Sequence, residues 1–399
     1  MKTPADRQSP AIVQAYPNRG LTFVEGDGVF LIEAGGGRFL DLMSNYGVAI
    51  FGYGPSDLTE SLQRQIQRLP CLHGSFANDM RSEAAEALVS RCGGGLARVA
   101  FTNSGAEANE AALKFAALAT GKKRFVACRS GFHGKTLGAL SATDGMKYRQ
   151  AFEPLLWDFH FIPYDDLAAL ESVIDPQTAA FIVEPIQGES GVHLPAEGYL
   201  RRAAEICRSR GVLTIIDEIQ TGTGRTGHFL ASHPEGIAYD IVTLGKGLAG
   251  GIPAGATLVS GRVAEAIPRG GHTSTFGGNP LAAAGVLATL KLLDQALLSH
   301  ITEIGTYFRE RLKTRLSPFL KDVRGRGLMI GLETAHSRDS VLKGLQKEHV
   351  LAIPAGDLVV RFLPPYLIEK AHIDLAIEKL DRVLAAPSFG ANVSCAGSC

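Results

Sequence analysis

The sequence predicts an α/β protein centred on a largely parallel sheet with helices on both faces. Three observations carry this. Short β-branched and aromatic runs recur through the middle of the 399-residue chain. Helix-spaced apolar positions lie between successive runs. Neither end of the chain shows this alternation, which predicts a smaller α+β domain built from both termini.

The first fifty residues read as short strands and turns, FVEGDGVFLIEAGGGRFLDL over 23–42. The runs RVAF (98–101), RFVA (124–127), FHFI (159–162), AAFIV (179–183), VLTIID (212–217) and DIVTL (240–244) read as buried strands. After the first of them, Ala108, Ala111, Ala112 and Phe115 share a helix face, and Gly121 supplies a stop signal. Leu200, Ala203, Ala204 and Cys207 repeat the pattern, closed by Gly211. Beyond residue 290 come a long helical pattern, a strand near Leu328–Leu332 and a last helix with Ile373, Ile377, Leu380 and Leu384 on one side. The expected organisation is therefore 1–50 and 286–386 in the small domain, 51–285 in the large one, and 387–399 as a flexible tail.

Composition narrows the function. Apolar residues make up 45% and charged residues 20%, and Lys+Arg equals Asp+Glu at 40 each, so no net field draws nucleic acid or an anionic membrane. The opening MKTPADRQSP has no apolar secretory core, and the apolar stretch around Leu281–Leu290 is too short to span a bilayer. Cys71, Cys92, Cys128 and Cys207 are scattered, and Cys395 and Cys399 lie in the tail. They read as reduced thiols of a cytoplasmic protein. The triplet at Asn392 is a glycosylation acceptor only in a secreted chain. No His/Cys/carboxylate cluster has metal-ligand spacing. GTGRTG (222–227) matches a dinucleotide fingerprint in letters, but no helix pattern opens there and Asp217–Gln220 separate it from its strand, so that reading is declined.

Three segments carry chemistry. In FTNSGAEANEAALKFA (101–116), a strand runs through Ser104, Gly105 and Ala106 into a helix, with Ser104 and Glu107 at capping-box spacing. Uncovered N–H groups at the positive end of a helix suit a phosphate, although a plain capped turn has the same letters. VLTIIDEIQ (212–220) ends in two carboxylates, and Asp217 at the carboxyl edge of a parallel sheet faces the usual ligand crevice. It could hold a pyridinium nitrogen protonated or simply cap the next turn. In TLGKG (243–247), Lys246 follows a strand within an unusually apolar run, between two glycines that leave its amine accessible. Burial would lower its pKa, as imine chemistry requires; a loop lysine is the alternative.

Together these segments resemble the class III aminotransferases, fold-type-I enzymes of pyridoxal 5′-phosphate (PLP), over about Gly20 to Leu384. The motifs that carry the resemblance are NSGAEANEAALKFA, FHGKTLGALS (132–141), EPIQGESG (184–191), DEIQTGTGRTG (217–227), GKG (245–247), STFGGNPLA (274–282) and RFLPP (361–365). The most similar branch is that of the acetylornithine and lysine-biosynthesis aminotransferases, with ornithine aminotransferase further off. The resemblance implies a mostly parallel, seven-stranded-type sheet and a homodimer with shared sites. It implies that Lys246 holds the cofactor as a Schiff base and then moves the proton, that Asp217 pairs with the pyridine nitrogen, and that Gln220 reaches the phenolic oxygen. Phe132 and Ile219 would cover the two ring faces, with His133 beside Phe132 in the cofactor set. Ser104, Gly105 and Ala106 would hold the phosphate, and Thr275 would reach the neighbouring subunit's phosphate.

The substrate positions implied are Tyr46, Lys135, Glu189, Ser274 and Arg361. In the family, the glutamate at the position of Glu189 masks the arginine while an ω-amino substrate binds. Once freed, the arginine clamps the carboxylate of glutamate or 2-oxoglutarate. The implied reaction moves a terminal amino group between an N-acylated ornithine- or lysine-type compound and 2-oxoglutarate, the amine being free or tethered to a small acidic carrier protein. A mutase or decarboxylase on the same fold needs no second carboxylate substrate, so the Glu189/Arg361 pair favours transamination. The chain departs from the family at Lys135, where FHGRT is usual, and at Tyr53, where histidine commonly follows Gly52. Lysine offers a point charge in place of the planar fork that meets the substrate's remote carboxylate.

Overall fold

The computed structural model describes residues 11–316, 319–335 and 338–386. Near the N-terminus, β1 (Phe23–Asp27), β2 (Phe30–Glu33) and β3 (Arg38–Asp41) form antiparallel ribbons. The central sheet follows, from β4 (Leu96–Thr102), β5 (Arg124–Cys128), β6 (Asp158–Ile162), β7 (Thr178–Val183), β8 (Leu213–Asp217), β9 (Ile241–Leu244) and β10 (Gly255–Ser260). The chain continues with β11 (Leu320–Arg326), β12 (Met329–Thr334), β13 (Val350–Leu351), β14 (Ile353–Ala355) and β15 (Val359–Phe362).

The seven central strands lie in the order β4-β10-β9-β8-β7-β5-β6. All neighbouring pairs from β9 to β6 are parallel, and only β10 runs against its neighbours. Six of the seven coincide with the apolar runs in the sequence. β10 (GATLVS) was not among them, because it follows the glycine-rich segment 245–255 and begins on small residues. Alternation along a strand sends neighbouring side chains to opposite faces. Phe125 and Ala127 join one apolar core with Ala111, Ala112 and Phe115; Val126 and Cys128 join the other with Ala203 and Cys207. Burying each of the larger side chains contributes roughly 1.5–3 kcal/mol.

The helix Gly105–Thr120 is capped by Ser104, whose Oγ accepts from Glu107 N at 3.2 Å, and ends at Gly121 with φ +71°. The capping box is only half formed. Glu107 Oε2 reaches one residue further back, accepting from Asn103 N at 2.5 Å and from Asn103 Nδ2 at 3.0 Å. In the helix Lys370–Ala385, Ile373, Ile377 and Leu380 are buried and Leu384 is partly so. The C-terminal part contributes β13, which pairs parallel to β3, and the sheet β11-β12-β15-β14. The two chain ends are thus joined by backbone hydrogen bonds. The residues read for a secretory signal, the Asn392 triplet, Cys395, Cys399 and the rest of the tail lie outside the described residues. Among the described residues no single helix is long and apolar enough to cross a membrane. Cys71 is an exposed free thiol, and Cys92, Cys128 and Cys207 are buried ones.

Candidate active site

The carboxyl edge of the central sheet gathers the chemistry. β4 runs through Ser104 into the helix Gly105–Thr120, β8 ends on Asp217, and β9 ends two residues before Lys246. Ligands bind at this edge of open α/β sheets. Here a cavity of about 280 Å³ is lined by Gly105, Ala106, Phe132, His133, Glu189, Asp217, Ile219, Gln220 and Lys246, with Glu184 among its further residues. These side chains come from five separate stretches of sequence.

Lys246 has φ +46°, a left-handed conformation unusual for a residue with a side chain and a mark of functional sites. Burial pushes its amine down to about 8, helped by the charge of Arg361 and opposed by Glu189, Asp217 and Glu184. The Asp217 carboxylate is held on both oxygens. Oδ2 lies 2.7 Å from His133 Nδ1 and accepts from Asn109 Nδ2 at 2.7 Å, and Oδ1 accepts from Ile219 N at 3.0 Å. A carboxylate acceptor puts the His133 proton on Nδ1, and Nε2 is buried without a partner among the described residues. Burial opposes charge on His133, but the hydrogen bond and charge of Asp217 and the charge of Glu184 outweigh it and raise its pKa. Glu184 is itself pushed up to about 7, chiefly by burial. The neighbouring Glu218 belongs to the scaffold: it is buried and accepts from Thr221 Oγ1, Ala231 N, Ser232 N and Ser232 Oγ.

Arg361, on β15, is fully buried. Its Nη2 donates to Glu189 Oε1 at 2.7 Å and its Nη1 to Gln220 Oε1 at 2.8 Å, while Nε has no partner among the described residues. Burial alone would raise the Glu189 pKa, but the charges of Arg361 and Lys246 bring it below the ordinary value. Ile219 crowds the helix start so closely that a Cβ at Gly105 would stand 2.7 Å from Ile219 Cγ2. Phe132 meets the Tyr148 ring edge-on at 5.7 Å, and its N–H donates to Glu184 Oε2 at 3.0 Å.

Other residues singled out in the sequence stand outside this cavity. Ser274 Oγ accepts from Asn103 Nδ2 and Gly277 N, and Thr275 is exposed. Lys135 is exposed, with Nζ 5.3 Å from the Tyr148 ring centroid. Tyr46 is 44% exposed within a left-handed turn, Ser44–Gly47. Tyr53 donates to the buried Asp41 Oδ2 at 2.7 Å, so this departure from the family pattern serves the N-terminal sheet. No helix opens at 222–227; Arg225 is buried there, donating to Leu328 O and Pro364 O.

Sequence reasoning assigned no role to Asn109 or Glu184. Both left a signal. Asn109 is a polar residue beside the apolar face of its helix, and Glu184 follows β7 as closely as Asp217 closes β8. A larger hollow of about 670 Å³ lies against Arg19, Tyr53 and Leu58, yet among the described residues no acidic, lysine, histidine or cysteine side chain lines it. Among the described residues no group of three or more His, Cys, Asp or Glu is placed to hold a metal ion.

The residues present fit PLP. The first-turn N–H groups of a sixteen-residue helix offer a phosphate cradle. A fixed carboxylate suits a pyridinium nitrogen, apolar Phe132 and Ile219 suit ring faces, and a lysine with a depressed pKa suits a covalent link to an aldehyde.

Comparison with known proteins agrees. The model of the class-III aminotransferase family matches residues 13–384. An acetylornithine aminotransferase of Methanopyrus kandleri is 39% identical over 377 residues, 94% of this chain and 97% of that one. A [LysW]-aminoadipate semialdehyde/glutamate semialdehyde transaminase of Sulfurisphaera tokodaii is 40% identical over 367 residues, 91% of this chain and 95% of that one. Among solved structures, the ornithine aminotransferase of Toxoplasma gondii superposes with a TM-score of 0.91 at 34% identity, covering 96% of this chain and 95% of its own. With cavity, lysine and sequence in agreement, the chain belongs to the class-III aminotransferases, enzymes that work with pyridoxal phosphate.

Proposed function

We propose that this chain moves a terminal amino group between an N-acylated ornithine- or lysine-type compound and 2-oxoglutarate, as a cytoplasmic homodimer with shared sites. The observation that carries the reading is the Glu189–Arg361 pair, 2.7 Å apart beside Lys246. A buried arginine whose partner is a partly exposed carboxylate can serve two substrates in turn: one with no carboxylate at that place, and one whose carboxylate displaces Glu189 and is clamped bidentately. The relatives named for acetylornithine and for LysW-linked semialdehydes support the substrate class.

PLP supplies, when bound, an aldehyde that takes up the amino group and an electron-withdrawing ring. Lys246 would hold it covalently, and the same amine would be placed to take up and return a proton at the reacting carbon. Asp217, held on both oxygens, would face the ring nitrogen and favour its protonated form. Phe132 and Ile219 would cover the two ring faces, and Gln220, which accepts from Arg361, would lie toward the phenolic oxygen. Ser104, Gly105 and Ala106 would bind the phosphate. Exposed Thr275 fits a role in the neighbouring subunit's phosphate site. The pairing of β3 with β13 supports a small domain built from 1–50 and 286–386 around a large domain at 51–285.

A carrier-linked amine is the second reading. Lys135 and Lys147 bring their ammonium groups 5.3 Å and 4.8 Å from the Tyr148 ring centroid, beside Phe132. Two exposed cations suit a remote carboxylate or an acidic carrier. An assay of N-acetylornithine with 2-oxoglutarate tests the first reading, with glutamate formation as the expected result. Inactivity with every free N-acylated diamino acid, together with turnover of a carrier-bound amine that weakens steeply with salt, would replace it by the second.

A further inference from the structure

Asn109 is fully buried and uses its whole amide. Nδ2 donates to Asp217 Oδ2 and to His133 O, each at 2.7 Å, and Oδ1 accepts from Thr243 Oγ1 at 2.8 Å. Asp217 and the His133 carbonyl can only accept, so the amide cannot turn over without setting oxygen against oxygen. Thr243 is fixed in turn, since it stands opposite Asp217 in the β8–β9 ladder.

The placement along the chain adds a second point. Asn109 lies four residues beyond Gly105 on one rigid helix, and a helical side chain leans back toward the N-terminus. The helix whose first turn offers N–H groups to a phosphate therefore also grips, about one turn later, the Asp217 carboxylate that lines the same cavity. We infer that Asn109 is a positioning residue: it ties Asp217 to the helix bearing the phosphate cradle, so that one helix sets the spacing between the two anchors of the cofactor. The inference rests on the reading of Asp217 as the partner of the ring nitrogen.

Asn109→Asp tests it. The change puts an oxygen where Nδ2 now donates, facing Asp217 and the His133 carbonyl, with the His133 ring, 2.7 Å from Asp217 Oδ2, then Glu184 and Lys246 the titratable groups around Asp217. Only a protonated carboxyl can donate there, so the defect must grow with pH. The measurement is the dissociation constant of pyridoxal 5′-phosphate for apoprotein from pH 5.5 to 8.5, as the ratio of variant to native protein, with thermal unfolding of each apoprotein alongside. The expected ratio for Asn109→Asp climbs at least tenfold across that range, whereas for Asn109→Ala it is raised but constant. A ratio for Asn109→Asp that stays flat in folded protein would overturn the inference.

Thr243→Val serves if Asn109→Asp does not fold. Loss of the hydroxyl leaves Asn109 Oδ1 without its donor and loosens the amide that grips Asp217, so cofactor binding should weaken several-fold and the visible spectrum of the bound cofactor should shift, with Thr243→Ser restoring both. Native binding and spectrum in Thr243→Val would overturn it equally. Asp217→Ala separates the two levels. If that variant binds cofactor as the native protein does, the reading of Asp217 fails and takes this inference with it. If Asp217→Ala is defective while Asn109→Asp and Thr243→Val behave as native, only the role of Asn109 fails.

Discussion

Lys246 and Arg361 differ in how their charge is managed, and each difference can be measured. Lys246 in water would hold its proton to about pH 10.4; burial brings the amine down to about 8. Only the neutral amine attacks an aldehyde, so covalent uptake of PLP by apoprotein should rise about tenfold between pH 7 and pH 9 and then level off. Stopped-flow absorbance measures this, and a rate that climbed without levelling to pH 10.5 would mean an ordinary lysine. The same shift makes the folded apoprotein bind fewer protons than the unfolded chain between pH 8 and 10.4, so this group adds stability as pH rises through that window. Lys246→Ala should keep the fold, lose the absorbance of the covalently held cofactor and slow transamination by about 10²–10⁴-fold.

Arg361 is matched to planar carboxylates. Arg361→Lys keeps the charge next to Glu189 and loses the fork, so KM for 2-oxoglutarate should rise about 10- to 100-fold, while binding of the amino donor changes little. Steady-state kinetics with each substrate varied separately checks the split. Equal effects on both substrates would mean that the Glu189–Arg361 pair is structural.

At the scale of elements, the helix Gly105–Thr120 carries most of the design. Its cap, its buried face and its αL stop at Gly121 were legible in the sequence, because each depends on residues within one or two turns. The exchange of Glu107 from Ser104 to Asn103 was not, since it depends on how the strand enters the helix. β10 escaped notice for a related reason: a short run of small residues becomes a strand only once β4 and β9 leave a gap for it. Gly105→Ala separates propensity from contact at this helix. Alanine favours helix by about 1 kcal/mol over glycine, but the added Cβ would stand 2.7 Å from Ile219 Cγ2. Cofactor affinity should therefore fall at least tenfold with thermal stability of the apoprotein nearly kept. Titration with PLP beside a melting curve decides it, and unchanged affinity would remove Gly105 from the cradle.

For the whole molecule, the fold class and the residues at the sheet edge could be read from the chain because strand ends are local features that the parallel sheet then aligns. Lys246, Asp217 and the start of the helix Gly105–Thr120 are distant in sequence and adjacent in space for that reason alone. The amide of Asn109 on Asp217, the contact of Arg361 with Gln220 and the pairing of Tyr53 with Asp41 required coordinates, since nothing in spacing tells which buried polar groups meet. The exposed positions of Thr275 and Tyr46 are what a site completed by a second subunit would leave on one chain. Mixing Lys246→Ala with Thr275→Ala subunits checks this: random exchange should regenerate about a quarter of the native sites in hybrid dimers. Activity equal to the sum of the separate variants would mean that Thr275 serves its own chain or none.

The central claim, an amino-group transfer with two substrates sharing one cavity, is tested most directly by the half-reactions of the PLP-loaded protein. Glutamate, N-acetylornithine, ornithine, N-acetyllysine and 4-aminobutyrate are added singly, and the visible absorbance of the bound cofactor is followed. Rapid bleaching by glutamate and by an N-acylated diamino acid, with recovery on adding 2-oxoglutarate, is the predicted result. Unchanged absorbance with glutamate would contradict the role of Glu189 and Arg361 and move the function toward a mutase or decarboxylase.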